Sequence, residues 1–209
     1  MILDPTLFPV FLAGATALAL SPGPDMMFTL ATAASRGRVA GLAAVAGILS
    51  GGFLWTLASA LGLAALVAAS EHGLTVVRFA GAAYLIWLAW KTFRTIDTLP
   101  AGEAASGAHE AFKRGFITNL LNPKIGLFFM AFLPQFTNAE LSPVWLQMLL
   151  LGVIFFAIGA VILISIAFAG GAASERLSRS KNWRRGLNGL AGTTFGALGL
   201  RLILTGNST

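Results

Sequence analysis

Two short stretches carry charge where the surrounding sequence is apolar. The first is Ser21-Pro22-Gly23-Pro24-Asp25, inside the run Leu7–Ala34. The second is Asn122-Pro123-Lys124, inside the run Phe116–Phe136. Asp25 offers a carboxylate and Lys124 an ammonium. They complement each other, and they also complement the two ends of a zwitterion. Proline removes a backbone donor and clashes with the preceding turn, so Pro22, Pro24 and Pro123, with Gly23, are read as helix breaks. After a break, freed N–H groups favour a carboxylate and freed carbonyls favour an ammonium. Ser21, Asn119, Asn122 and Gln135 are the nearby hydrogen-bonding side chains, able to cap freed backbone or to bind a polar solute.

The elements that position these residues follow from composition. Of the 209 residues, 56% are hydrophobic and 11% charged, with a mean hydropathy of +0.81. Soluble domains carry about 25% charged residues, so a bilayer is the fitting solvent. Six apolar runs follow: Leu7–Ala34, Val39–Ala69, Leu74–Trp90, Phe116–Phe136, Val144–Gly170 and Leu187–Leu204. About 20 residues cross a hydrocarbon core, so the second and fifth runs are long enough to tilt or to extend beyond it. The fold class expected is all-α, a polytopic membrane protein of six transmembrane helices with the first and fourth broken.

Charge sets the orientation. Eleven of the 14 basic residues fall in the first, third and fifth gaps, which places those gaps in the cytoplasm and both termini in the periplasm. The chain is thus expected in a bacterial inner membrane, partnered by the lipid bilayer. The formal charge of +6 reflects this topology, and no nucleic-acid partner is expected. Arg78 and Arg201 are read as snorkelling outward from near the ends of their spans.

Asp25 lies 11 residues before Arg36, and Lys124 lies 10 after Arg114. At about 1.5 Å per residue each is roughly 15 Å from the cytoplasmic face, near the midplane. An isolated charge there costs from about 3 to well over 10 kcal/mol. Matching breaks at the head of each half suggest two inverted three-helix repeats, about 1–94 and 112–209, within one transporter domain spanning 1–209. The polar stretch 95–111 reads as a flexible cytoplasmic linker.

Other chemistry is poorly supplied. There is no cysteine, one tyrosine and two histidines, His72 and His109, in separate polar gaps. Neither a metal site nor another cofactor is expected, and hydrolytic or redox catalysis lacks its usual constellation. The small-xxx-small pairs Gly37/Gly41, Gly47/Gly51 and Gly192/Gly196 serve packing within one chain or a homo-oligomer equally well. The residues alone leave open an exporter of small solutes or metal cations and a membrane assembly subunit without a substrate.

With Gly115-Phe116-Ile117-Thr118-Asn119-Leu120-Leu121-Asn122-Pro123-Lys124, the Ser21–Asp25 motif and Phe132-Leu133-Pro134-Gln135-Phe136, the chain resembles the lysine-exporter (LysE/RhtB) family of bacterial amino-acid efflux proteins. The resemblance covers nearly the whole chain. It implies export of amino acids or their derivatives, powered by the proton gradient or membrane potential. That family often carries Asn where this chain has Asp25. An ionisable group there can carry protons or favour a cationic substrate.

Overall fold

The computed structural model describes residues 2–69 and 106–169, together with single positions between 79 and 90 and between 180 and 200. Among these residues all regular structure is helical. The helices are α1 (Phe8–Leu20), α2 (Pro24–Arg36), α3 (Arg38–Ala69), α4 (Ala108–Leu120), α5 (Pro123–Ala131) and α6 (Val144–Ala169), with a 3₁₀ turn at Leu133–Phe136. The expected spans at 74–90 and 187–204, with Arg78 and Arg201, lie largely outside the described residues.

The first apolar run is two helices. α1 closes at Leu20, with Ser21 N–H donating to the carbonyls of Ala17 (3.0 Å) and Leu18 (3.2 Å). Pro24 then opens α2 at its first position, where no intrahelical N–H is needed. The second half repeats the device. α4 ends at Leu120, Asn122 caps α5 by accepting the Lys124 N–H at 3.0 Å, and Pro123 takes the first helical position. The two prolines therefore restart helices. The α4–α5 pair bends by 53° at its break.

α3 and α6 are each long and apolar enough to cross a membrane, and the bent pair of α4 with α5 and the 3₁₀ turn qualifies as a third crossing. α3 has 32 residues, about 48 Å of helix, so it outruns the hydrocarbon. Gly37 turns α2 into α3 with φ at 83°, a backbone state glycine adopts without strain. α4 begins at Ala108, inside the stretch expected to be a loose linker. There the Glu110 carboxylate accepts hydrogen bonds from the Ser106 N–H and hydroxyl, fixing the entry to the helix.

α3 packs along α4, α2 and α6. Its approach to α4 is set by glycine: a Cβ at Gly47 would strike the Phe112 carbonyl, and one at Gly115 the Ala44 carbonyl. At Gly51 the added carbon would stand 2.9 Å from the Phe116 carbonyl. The Gly47/Gly51 pair thus serves packing within the chain. An aromatic cluster brings together Phe11, Phe128, Phe132 and Phe136, whose neighbouring rings pack stacked, tilted or edge-on with centroids 4.5–6.3 Å apart. Phe155 joins it from α6, 4.5 Å from Phe128. Beyond that cluster Gln147, fully buried, donates to the carbonyls of Asn138 and Ser142 at 2.7 Å each and accepts the Asn138 N–H. It holds the turn between the 3₁₀ segment and α6.

Candidate functional site

The two breaks lie side by side and frame one cavity. Ser21, Gly23 and Asp25 line it from the first break, Asn122 and Lys124 from the second, and Phe155 with Phe156 from α6. Lys124 and Asp25 are the charged groups among its described lining residues.

Each charge meets the helix end that suits it. The Lys124 Nζ donates to the Ser21 carbonyl at 2.8 Å and the Leu18 carbonyl at 3.1 Å. These carbonyls close α1 at the negative end of its dipole, and the Leu18 carbonyl also accepts the Ser21 N–H. Asp25 sits in the first turn of α2, at the positive end of that helix. Its Oδ2 accepts a 2.7 Å hydrogen bond from Asn119 Nδ2 on α4. The two side chains line one space, yet no direct ion pair joins them. Charge–dipole and charge-assisted hydrogen bonds hold each one separately, which leaves both able to meet a ligand.

The other residues singled out by sequence divide. Ser21 is buried and contributes its carbonyl. Asn122 lines the cavity and caps α5. Asn119 is completely buried behind Asp25, outside the lining. Gln135 does not come to the site: it belongs to the 3₁₀ turn beyond the aromatic cluster. Its neighbour Pro134 stands in the first turn of that 3₁₀ segment.

Sequence reasoning passed over Trp55, whose Nε1 donates to the Leu120 carbonyl at 3.2 Å and closes the end of α4. Its ring occupies the space a side chain at Gly126 would need. It also passed over Thr29 and Thr32, which follow Asp25 at the i+4 and i+7 spacing and lie fully buried on the same face of α2. That spacing was the available signal. The hydroxyls of Thr29 and Thr32 have no hydrogen-bond partner, and neither do Asp25 Oδ1 and Asn119 Oδ1, all four being buried atoms.

Comparison with known proteins places this geometry in a family. The model of the LysE type translocators matches residues 16–206. A leucine efflux protein of Enterobacter sp. (strain 638) is 28% identical over 93% of this chain and 94% of its own length. A homoserine/homoserine lactone efflux protein of Salmonella typhimurium is 32% identical over 75% of this chain and 77% of its own. A membrane protein of Pseudomonas aeruginosa is 31% identical over 93% and 94%. No solved structure matches. With paired helix restarts around two charges and a family match across nearly its whole length, this multi-pass membrane chain belongs to the LysE type translocators.

Proposed function

We propose that the chain is a secondary active exporter, moving amino acids or their derivatives out of the cytoplasm at the expense of the proton gradient or membrane potential. One observation carries this reading: an ammonium and a carboxylate face a single cavity from two helix breaks without being joined to each other. An α-amino acid brings the two opposite charges together. Its carboxylate suits Lys124 and the open N-terminus of α2, and its ammonium suits Asp25 and the carbonyls that end α1. The walls supplied by Ile48, Phe155, Phe156 and Leu163 suit an apolar or small side chain. Relatives named for leucine and for homoserine efflux support the same cargo class.

The test is counterflow in proteoliposomes. Vesicles loaded with unlabelled leucine or homoserine and diluted into labelled solute are expected to accumulate label above empty-vesicle controls. Accumulation no greater than those controls for any of a panel of amino acids and analogues would sink the proposal. Six spans, inverted repeats over about 1–94 and 112–209, and both termini periplasmic complete the reading. For topology, a cysteine introduced near residue 207 is expected to react with a membrane-impermeant maleimide in intact cells. Labelling of that cysteine only after permeabilisation would reverse the orientation.

A further inference from the structure

We propose that Asp25 and Asn119 form a proton-binding pair. A proton on Asp25 Oδ1 is shared with Asn119 Oδ1, while Asn119 Nδ2 donates to Asp25 Oδ2. The inference rests on the export reading for its role, and on geometry for its existence.

The geometry is a mismatch of donors. The Asn119 amide and the Asp25 carboxyl already share one hydrogen bond, Nδ2 to Oδ2 at 2.7 Å. The remaining oxygen of each group is buried and has no partner. Both are acceptors when Asp25 is ionised, so neither can satisfy the other, and leaving a buried acceptor unmade costs about 1–3 kcal/mol. In the proposed pair, one proton on Oδ1 makes that oxygen a donor to Asn119 Oδ1 and so provides for both buried atoms. A carboxylic acid and a primary amide then meet through two antiparallel hydrogen bonds. The same proton removes a negative charge from an apolar surrounding, where it is expensive.

The neighbourhood is consistent with that assignment. Lys124 of α5, the other charged lining group, has its Nζ on the carbonyls of Leu18 and Ser21. Arg114 of α4 lies over the Phe28 ring at 5.6 Å and pairs with Glu110, away from the lining. The described lining residues of α1, α3 and α6 are uncharged. From Asp25 the buried hydroxyls of Thr29 and Thr32 continue one polar face of α2 toward Arg36.

The consequence is exchange. Asp25 Oδ1 takes either a proton or the attraction of a substrate ammonium. Binding the ammonium requires the proton to leave to solvent, and the returning carrier takes up a proton in its place. No bond other than O–H is made or broken.

The test is difference infrared spectroscopy of the ligand-free, purified chain in lipid at neutral pH. A deuterium-sensitive carboxylic-acid C=O band is expected. It should vanish in Asp25→Asn, which keeps the side chain's shape. In Asn119→Leu it should move to higher wavenumber as the acid loses its hydrogen bond. If Asn119→Leu yields no folded protein, Asn119→Ser replaces it, with the same direction of shift expected. A band that survives Asp25→Asn, or that does not move when Asn119 is replaced, overturns the pair. A band bleached by sodium chloride but not by choline chloride assigns the site to a metal cation and overturns it as well. A chain that moves no amino acid yet keeps the Asp25- and Asn119-dependent band supports the pair and rejects the export reading. One that exports leucine without such a band rejects the pair.

Discussion

Lys124→Met is expected to lower efflux about 100-fold or more. The ammonium makes two charge-assisted hydrogen bonds to the ends of α1, and in the proposed cycle it exchanges them for the substrate carboxylate. Such bonds contribute roughly 1.5–3 kcal/mol each, and every 1.4 kcal/mol is tenfold. Methionine has a similar length and no donor. The carbonyls of Leu18 and Ser21 then lose the ammonium, and Asp25, whenever it gives up its proton, lacks the Lys124 charge across the cavity, so some loss of folded protein should accompany the loss of transport. The double variant Asp25→Asn with Lys124→Met separates the two effects. It carries no unbalanced charge at the cavity and is expected to recover membrane abundance without recovering efflux. Counterflow per folded molecule, quantified by gel filtration, reads the outcome. Efflux restored along with abundance would mean that the charges only stabilise the fold.

Gly47→Ala should be nearly as damaging, through stability alone. The added carbon meets the Phe112 carbonyl, which belongs to the backbone of α4 and cannot rotate aside. The helices must separate, and both Gly51 and Gly115 make contacts along the same seam. A destabilisation of about 3 kcal/mol is expected, at the upper end for overpacking by one carbon. Gly62→Ala is the control: among the described residues nothing lies within 4 Å of its added carbon. A thermal-shift series in detergent should find Gly62→Ala close to the parent and Gly47→Ala strongly lowered. Equal melting temperatures would show that α3 and α4 are not seamed as described.

The breaks were legible because proline leaves few choices. Pro24 and Pro123 can open a helix but cannot sit within one, and each follows a polar residue or glycine able to turn the chain. The opposite charges at Asp25 and Lys124 were legible for a similar reason: no other residue in those runs is charged. Their individual partners were not. Asn119 reaches Asp25 across 94 positions of sequence, and only the crossing of α2 and α4 brings them together. Gln135 misled because it is a hydrogen-bonding side chain in the same apolar run as Lys124, whereas the chain there winds into a 3₁₀ turn past the aromatic cluster. α6 gives no face preference at all, being apolar all round, so its contribution of Phe155 and Phe156 to the cavity could not be read from periodicity. The start of α4 was placed too late because Ser106 and Glu110 look like ordinary linker residues until their hydrogen bonds tie them together.

The stack of Phe11, Phe128, Phe132 and Phe136 has an electrical meaning. Positions 128 to 136 cover about 12 Å along the chain if taken as helix, and the four rings are buried without a polar group among them. A protein that opens a wet, charged chamber in a bilayer is a potential short circuit, since any continuous thread of water would let ions run down the membrane voltage. A dry plug of that thickness is an insulator: an ion entering it forfeits its hydration with nothing to replace it. On the proposed export reading, this plug keeps ions from following the solute through the closed carrier. A cell could therefore carry many copies of this chain while its membrane remains charged.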